Sequence, residues 1–268
     1  GTKRSTLNAF TTYNLSLNDI HSFKFMGGIN RVTFDETMSS ALRTQLIDIN
    51  NPQFSLANGA MTTDGGNWWE AQLGYFGRVN YTLYDRYLLE ANIRYDGTSK
   101  FPNQLRWRWY PSFSAGWRLS EEEFMKDIDI ISNLKIRAGY GLAGNQDAIS
   151  SYMSLPLMSP NGTTTVNGLP VVTMGVTRNY NPDLKWEVKK TFDVGFDLGM
   201  FDERLTLGFD YYNSKTTDLL YNYAVKVPPF TYPTLLANLG AMRNTGFEIA
   251  ISGTPLKTKD MELNISAN

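Results

Sequence analysis

The sequence predicts an all-β chain of antiparallel strands in up-and-down order, forming a segment of a transmembrane β-barrel. Three observations predict it. Apolar and polar side chains alternate with period two over about ten segments. Most segments are paired through tight polar turns, and the connections between one pair and the next are mostly long.

The alternation is plainest in the stretch YFGRVNYTLYDRYLLEANIRYDG, residues 75 to 97. One parity carries Tyr75, Val79, Tyr81 and Leu83 before the turn and Tyr87, Leu89, Ala91, Ile93 and Tyr95 after it. The other carries Arg78, Asn80 and Thr82, then Glu90, Asn92, Arg94 and Asp96. The short link Tyr84-Asp85-Arg86 allows only antiparallel pairing, because a parallel crossover needs about a dozen residues or more.

Four further hairpins read the same way. Leu7 to Leu17 turns at Asn18-Asp19 into His21 to Ile29, and Phe113 to Leu119 connects across 120 to 133 to Leu134 to Tyr140. Phe192 to Leu198 turns at Phe201-Asp202-Glu203-Arg204 into Leu205 to Tyr211, and Phe247 to Ile251 turns near Lys257 to Asp260 into Leu263 and Ile265. Residues 34 to 69, 143 to 183 and 214 to 240 are expected to be loops, with 97 to 106 a shorter one. All tight turns then lie at one end of the sheet and the long loops at the other, the asymmetry of outer-membrane barrels.

The two faces differ in kind. Arg78, Glu90, Arg94, Lys135, Arg137, Asp193, Asp197 and Asp210 fall on the polar parity, which suits a water-filled or plugged lumen. Tyr81, Tyr84, Tyr87, Trp107, Trp109 and Trp117 fall near strand ends, where barrels place interfacial girdles. A soluble β-sandwich, with one sheet face buried and one wet, gives the same alternation and is the alternative reading, with carbohydrate binding at the Trp-bearing loops as its function.

Composition narrows the classes. A net charge of -1 gives no reason to expect nucleic acid as a partner, and the absence of cysteine removes disulfides and thiolate metal sites. No apolar run approaches the roughly 20 residues of a membrane-spanning helix, and Gly1 to Ser5 are not followed by the apolar core of a signal peptide. The single histidine, His21, follows a tight turn with no nucleophile or orienting carboxylate placeable beside it, so no enzyme is expected. SEEEFM, 120 to 125, reads as the cap of a short turn helix, and no ligand spacing supports a metal site or a cofactor.

Several stretches together resemble the C-terminal barrel region of the SusC/RagA family of TonB-dependent outer-membrane transporters, the nutrient importers of Bacteroidetes. They are RYDGTSKF (94 to 101), RWRWYPSFSAGWRLSEEEFM (106 to 125), LKIRAGYGLAGNQ (134 to 146), NPDLKWE (181 to 187), FDVGFDLGMFDERLTLGFDYYNSKTTDLL (192 to 220) and NLGAMRNTGFEI (238 to 249), in matching order and spacing. The resemblance implies residence in the outer membrane of a Gram-negative bacterium and import of oligosaccharides or peptides. It also implies a TonB complex for energy and a SusD-like surface lipoprotein as lid. Such proteins carry a signal peptide and a plug domain ahead of a barrel of about 22 strands. Residues 1 to 268 are therefore expected to be a partial barrel, without signal peptide, plug or final strands, ending inside the strand MELNISAN.

Candidate ligand contacts lie in the long loops. Trp68 and Trp69 offer apolar ring faces for stacking on a sugar, or else belong to an interfacial girdle. Asn145, Gln146 and Asp147 offer hydrogen bonds at the external mouth, or else serve as turn chemistry at a strand end.

Overall fold

The computed structural model describes residues 1–268. Ten strands form one antiparallel sheet: β1 (Thr2–Leu17), β2 (His21–Arg43), β3 (Met61–Leu83), β4 (Tyr87–Thr98), β5 (Trp107–Arg118), β6 (Ile131–Asn145), β9 (Glu187–Met200), β10 (Leu205–Thr217), β13 (Ala241–Lys257) and β14 (Glu262–Ala267). Each pairs only with its neighbours in that order. Two small hairpins stand apart at the loop end: β7 (Met158–Val166) with β8 (Leu169–Val176), and β11 (Leu220–Ala224) with β12 (Thr234–Asn238).

The tight turns follow from backbone sense. Asn18-Asp19, Tyr84-Asp85 and Phe201-Asp202 each place two consecutive residues at positive φ, which matches the right-handed twist of the flanking strands. Residues 119 to 125 contain two single turns of 3-10 helix, Leu119–Glu121 and Glu123–Met125, where a short turn helix is expected from SEEEFM.

Register then sorts side chains into rows across the sheet. Tyr13, Phe25, Val79, Ala91, Phe113, Tyr140 and Phe192 are successive partners from β1 to β9 on one face. Asn80, Glu90, Ser114, Gly139, Asp193, Tyr212 and Gly246 are successive partners from β3 to β13 on the other. The aliphatic rows stand open: Leu89 is 51% exposed and Phe113 58%.

Such a face has no partner within the chain. Only 18 of 268 residues are buried, and the two remaining sheets have two strands each and cover neither face. A β-sandwich needs a second sheet packed face to face, and none of this chain's strands supplies one, so the soluble alternative is disfavoured and lipid is the medium that such a surface fits.

Stacked aromatics edge the apolar band. Phe23 and Tyr81 (4.6 Å between ring centroids) and Tyr87 and Trp117 (6.1 Å) lie at the tight-turn end; Tyr95 contacts Trp107 (4.9 Å) and Trp109 (4.3 Å) towards the loops. The eight steps from Tyr87 to Tyr95 span roughly 26 Å along the strand, or about 20 Å along the membrane normal at a tilt of about 40°. That is close to the height of an outer-membrane apolar band.

The loop expectations need correction. β2 runs on to Arg43 and β3 begins at Met61, so 34 to 43 and 61 to 69 are strand and only 44 to 60 connects them. Beyond the bilayer both faces of a hairpin meet water, so FDETMSSALR carries no alternation to reveal it. The spans 143 to 183 and 214 to 240 likewise hold the β7–β8 and β11–β12 hairpins. The compact core of the chain sits among these loops: Phe101, Tyr110, Ile149, Leu184, Trp186, Leu220 and Leu236, with Leu142 and Met153 against it.

Candidate functional site

The lumenal wall is a network of charge-assisted hydrogen bonds on the polar rows. Arg137 of β6 donates to both carboxylate oxygens of Asp197 (3.0 and 3.1 Å) and, past β9, to Asp210 of β10 (2.5 and 2.7 Å). Arg137 and Asp210 both face Gly195 in register, and a Cβ at Gly195 would collide with the Asp210 carboxylate. On β3 and β4, Arg78 donates to Asn92 (2.6 Å), whose amide donates to Glu90 (2.6 Å), and Asn80 donates to Glu90 as well (2.5 Å). These groups are partly exposed and satisfy one another, which gives a hydrated, polar wall.

At the loop end the wall opens into a recess of ≈ 240 Å³. Its floor is Gln72, Leu73 and Gly74 of β3 and Arg94, Asp96 and Gly97 of β4, with Asn30 of β2 to one side. Gly74 leaves room that the Asp96 carboxylate fills. Arg94 donates twice to Asp96 (2.9 and 3.0 Å), which closes that pair's charge. The opposite wall is Gly144, Asn145, Gln146 and Asp147 with Trp186.

The Asn145-Gln146-Asp147 triplet is thus brought together at one polar recess. Asn145 is largely engaged: its amide donates to Glu187 (2.8 Å) and its side-chain oxygen accepts from the Asp147 backbone N–H (3.0 Å). The Gln146 Oε1 is buried without a protein donor, which leaves it open to accept from water or from a ligand N–H or O–H. Asp147 is exposed.

Trp68 and Trp69 are elsewhere. Both lie within β3, opposite Glu36 and Asp35 of β2, rather than in a loop, because the β2–β3 hairpin continues past the membrane. The Trp69 backbone N–H donates to the Tyr152 hydroxyl (3.0 Å), and the Trp68 ring covers Gly66. His21 lies at the start of β2, its Nδ1 2.8 Å from the Tyr81 hydroxyl within the turn-end aromatic cluster. No group of three or more His, Asp or Glu side chains converges as a metal centre.

Sequence reasoning did not assign Asn30, Gln72, Arg94, Asp96 or Trp186 to a site. Parity placed Arg94 on the polar face. Its meeting with residues 145 to 147 depends on how the loop folds back, which no local pattern reveals.

The family model for the TonB-dependent receptor-like β-barrel matches residues 1–268. The chain belongs to that family. TonB-dependent receptor barrels reside in the outer membrane of Gram-negative bacteria, and the lipid-facing rows described above are the physical basis of that placement. The TonB-dependent receptor SusC of Bacteroides thetaiotaomicron is 36% identical over 198 residues, 73% of this chain and 20% of that protein. A TonB-dependent receptor of Formosa agariphila is 32% identical over 268 aligned residues, 97% of this chain and 25% of that protein. Among solved structures, the RagAB peptide transporter superposes with a TM-score of 0.90 over 99% of this chain and 29% of that chain, at 22% identity. The chain spans a fifth to a quarter of the curated relatives' length, and the resemblance to SusC/RagA barrels holds across sequence and fold.

Proposed function

We propose that residues 1 to 268 form the C-terminal part of the barrel wall of a TonB-dependent importer for oligosaccharides or peptides. In this reading a TonB complex energises the receptor and a SusD-like lipoprotein lids it at the loop end. The single observation that carries the reading is a sheet with one lipid-facing apolar surface and one continuous polar surface ending in a polar recess at the loop end. Asn145, Gln146 and Asp147 are its proposed substrate contacts, and a hydrogen-bonding recess with little apolar lining suits hydroxyls and amides rather than an apolar solute. Trp68 and Trp69, on the extended β2–β3 hairpin, are proposed as outer contacts. Import by a relative, the RagAB peptide transporter, makes peptides the first class to test.

The experiment is uptake by cells expressing the intact receptor, using a fluorescein-labelled tryptic casein digest and, separately, a labelled maltodextrin hydrolysate. One of the two should accumulate only with the receptor present and the membrane energised. Accumulation of both that is indifferent to the receptor, or that persists after the proton-motive force is collapsed, rejects active import of these classes.

A further inference from the structure

Residues 146 to 155 leave β6 and run back as a strap across the mouth to β3, three strands away in the sheet order. The near end is held by Ile149, which is buried in the loop core. The far end is held by a carboxylate: the Ser151 hydroxyl donates to Glu70 Oε1 (2.7 Å), and the Lys100 ammonium lies 3.4 Å from Glu70 Oε2. Around this junction the Ser154 hydroxyl donates to the Lys100 carbonyl (3.3 Å) and the Arg178 guanidinium to the Tyr152 carbonyl (2.7 Å).

Glu70 does not line the recess. On β3 it precedes Gln72 and Gly74 by two and four residues and shares their face, so it stands beside the recess floor while gripping the strap whose first residues make the opposite wall. Both carboxylate oxygens are used, one by a hydroxyl and one by a cation. The Lys100 side chain is only 12% exposed, so removing Glu70 would leave its ammonium nearly buried without a counter-charge, a state that drives the surrounding segment to rearrange. Glutamine keeps an acceptor for Ser151 but not the charge for Lys100.

We propose that Glu70 is a positioning residue for substrate recognition: it pins the 146 to 155 strap to β3 and thereby sets the gap between Asn145–Asp147 and Arg94–Asp96 in which a ligand is held. The inference rests on the reading of the recess as a substrate contact. It adds a residue that touches no substrate and acts through Ser151 and Lys100.

The test compares wild type, Glu70→Ala and Glu70→Gln in the intact receptor, with heat-modifiability as the measure of barrel assembly. Hydrogen exchange in peptides covering 146 to 155 should quicken several-fold in Glu70→Ala and less in Glu70→Gln, with exchange in β9 and β10 unchanged. For whichever labelled digest the wild type imports, Glu70→Ala should raise the half-saturating concentration several-fold at unchanged maximal rate and unchanged barrel yield, and Glu70→Gln should recover part of the loss. Unchanged strap exchange in Glu70→Ala overturns the pinning whatever transport shows. Faster strap exchange with an unaltered half-saturating concentration overturns the positioning role of Glu70; Gln146→Ala, which alters the recess itself, keeps that result separate, because a recess that holds substrate raises the half-saturating concentration in Gln146→Ala whatever Glu70 does. A wild type that imports neither digest rejects the import reading for those classes, while the exchange comparison still decides the pinning.

Discussion

Asp210 reaches the Arg137 guanidinium across the space above Gly195, so an ion pair between β6 and β10 bridges the strand that separates them. With Asp197 as second acceptor, one cation holds two carboxylates on the lumenal wall. Arg137→Ala should leave these two carboxylates, diagonal neighbours on β9 and β10, without their shared cation. The groups are about a third exposed, so hydration and screening limit the loss to about 1 kcal/mol. Gly195→Leu should cost more, because its side chain meets the Asp210 carboxylate and the Phe209 carbonyl oxygen. Urea-induced unfolding of the intact receptor in lipid vesicles would rank them; equal stability of Gly195→Leu and wild type would show that the wall accommodates bulk at that row.

The facing of the sheet predicts an asymmetry between adjacent residues on β4. Leu89 and Ile93 are half-exposed on the apolar face, whereas Asn92 sits in the polar network with Arg78 and Glu90. Arginine at Leu89 or Ile93 should destabilise the folded barrel by about 2 to 4 kcal/mol at mid-bilayer depth. Arginine at Asn92 should cost far less, since its head stays in water beside Glu90. Folding into phosphatidylcholine vesicles, followed by heat-modifiability, measures the difference.

The sequence made the membrane-crossing strands legible because lipid on one side and water on the other impose a period of two. Tyr75 to Tyr95 carries that signal directly. Where both faces meet water the signal vanishes, which is why the upper halves of β2 and β3 read as loop and carried Trp68 and Trp69 with them. The β7–β8 hairpin did leave a trace: Asn167-Gly168, both at positive φ, joins Val166 to Leu169, and this dipeptide between apolar residues is a strong hairpin signal. Asn145 to Asp147 were legible as polar residues at a strand end. Arg94, Asp96 and Glu70 were not, because their roles come from a loop that leaves β6 and folds back past β5 to reach β4 and β3.

That hairpin should be removable. It pairs with no strand of the main sheet, and the Thr177 backbone N–H donates to the Leu157 carbonyl (3.1 Å), so the two ends of the excised piece already meet. Deleting Met158 to Val176 shortens the connection without stretching it, and loop-closure entropy changes only weakly with length. The intact receptor should still insert as a heat-modifiable barrel while uptake falls, as expected of an exposed recognition loop. Loss of insertion, with normal uptake by whatever fraction survives, would assign the hairpin to folding instead.

The turn-end girdle carries a pH-dependent anchor. The Glu122 carboxylate accepts from the Tyr87 hydroxyl (2.7 Å), the Trp117 indole N–H (3.0 Å) and Arg86 (3.0 Å). Those donors, the Tyr87 hydroxyl foremost, then Trp117, hold the carboxyl below its usual value. A carboxyl with a folded value below its unfolded one stabilises the fold above the unfolded value, and the contribution is lost as pH falls through the folded value. The anchor should therefore be intact at neutral pH and release only as pH falls below the ordinary carboxylate range. Release frees the Trp117 indole from its charged acceptor, so fluorescence at this position should change across that acidic range in a variant whose other five tryptophans and any outside residues 1 to 268 are replaced by phenylalanine. Glu122→Gln should flatten the change, because the amide has no proton to gain. Neighbouring Glu123 is likewise held low, by Lys126 (2.7 Å), but the Tyr87 hydroxyl and Trp117 indole donate to Glu122 and not to it, so Glu123→Gln should leave the Trp117 titration in place. A titration that survives Glu122→Gln and disappears with Glu123→Gln would move the anchor to the wrong carboxylate.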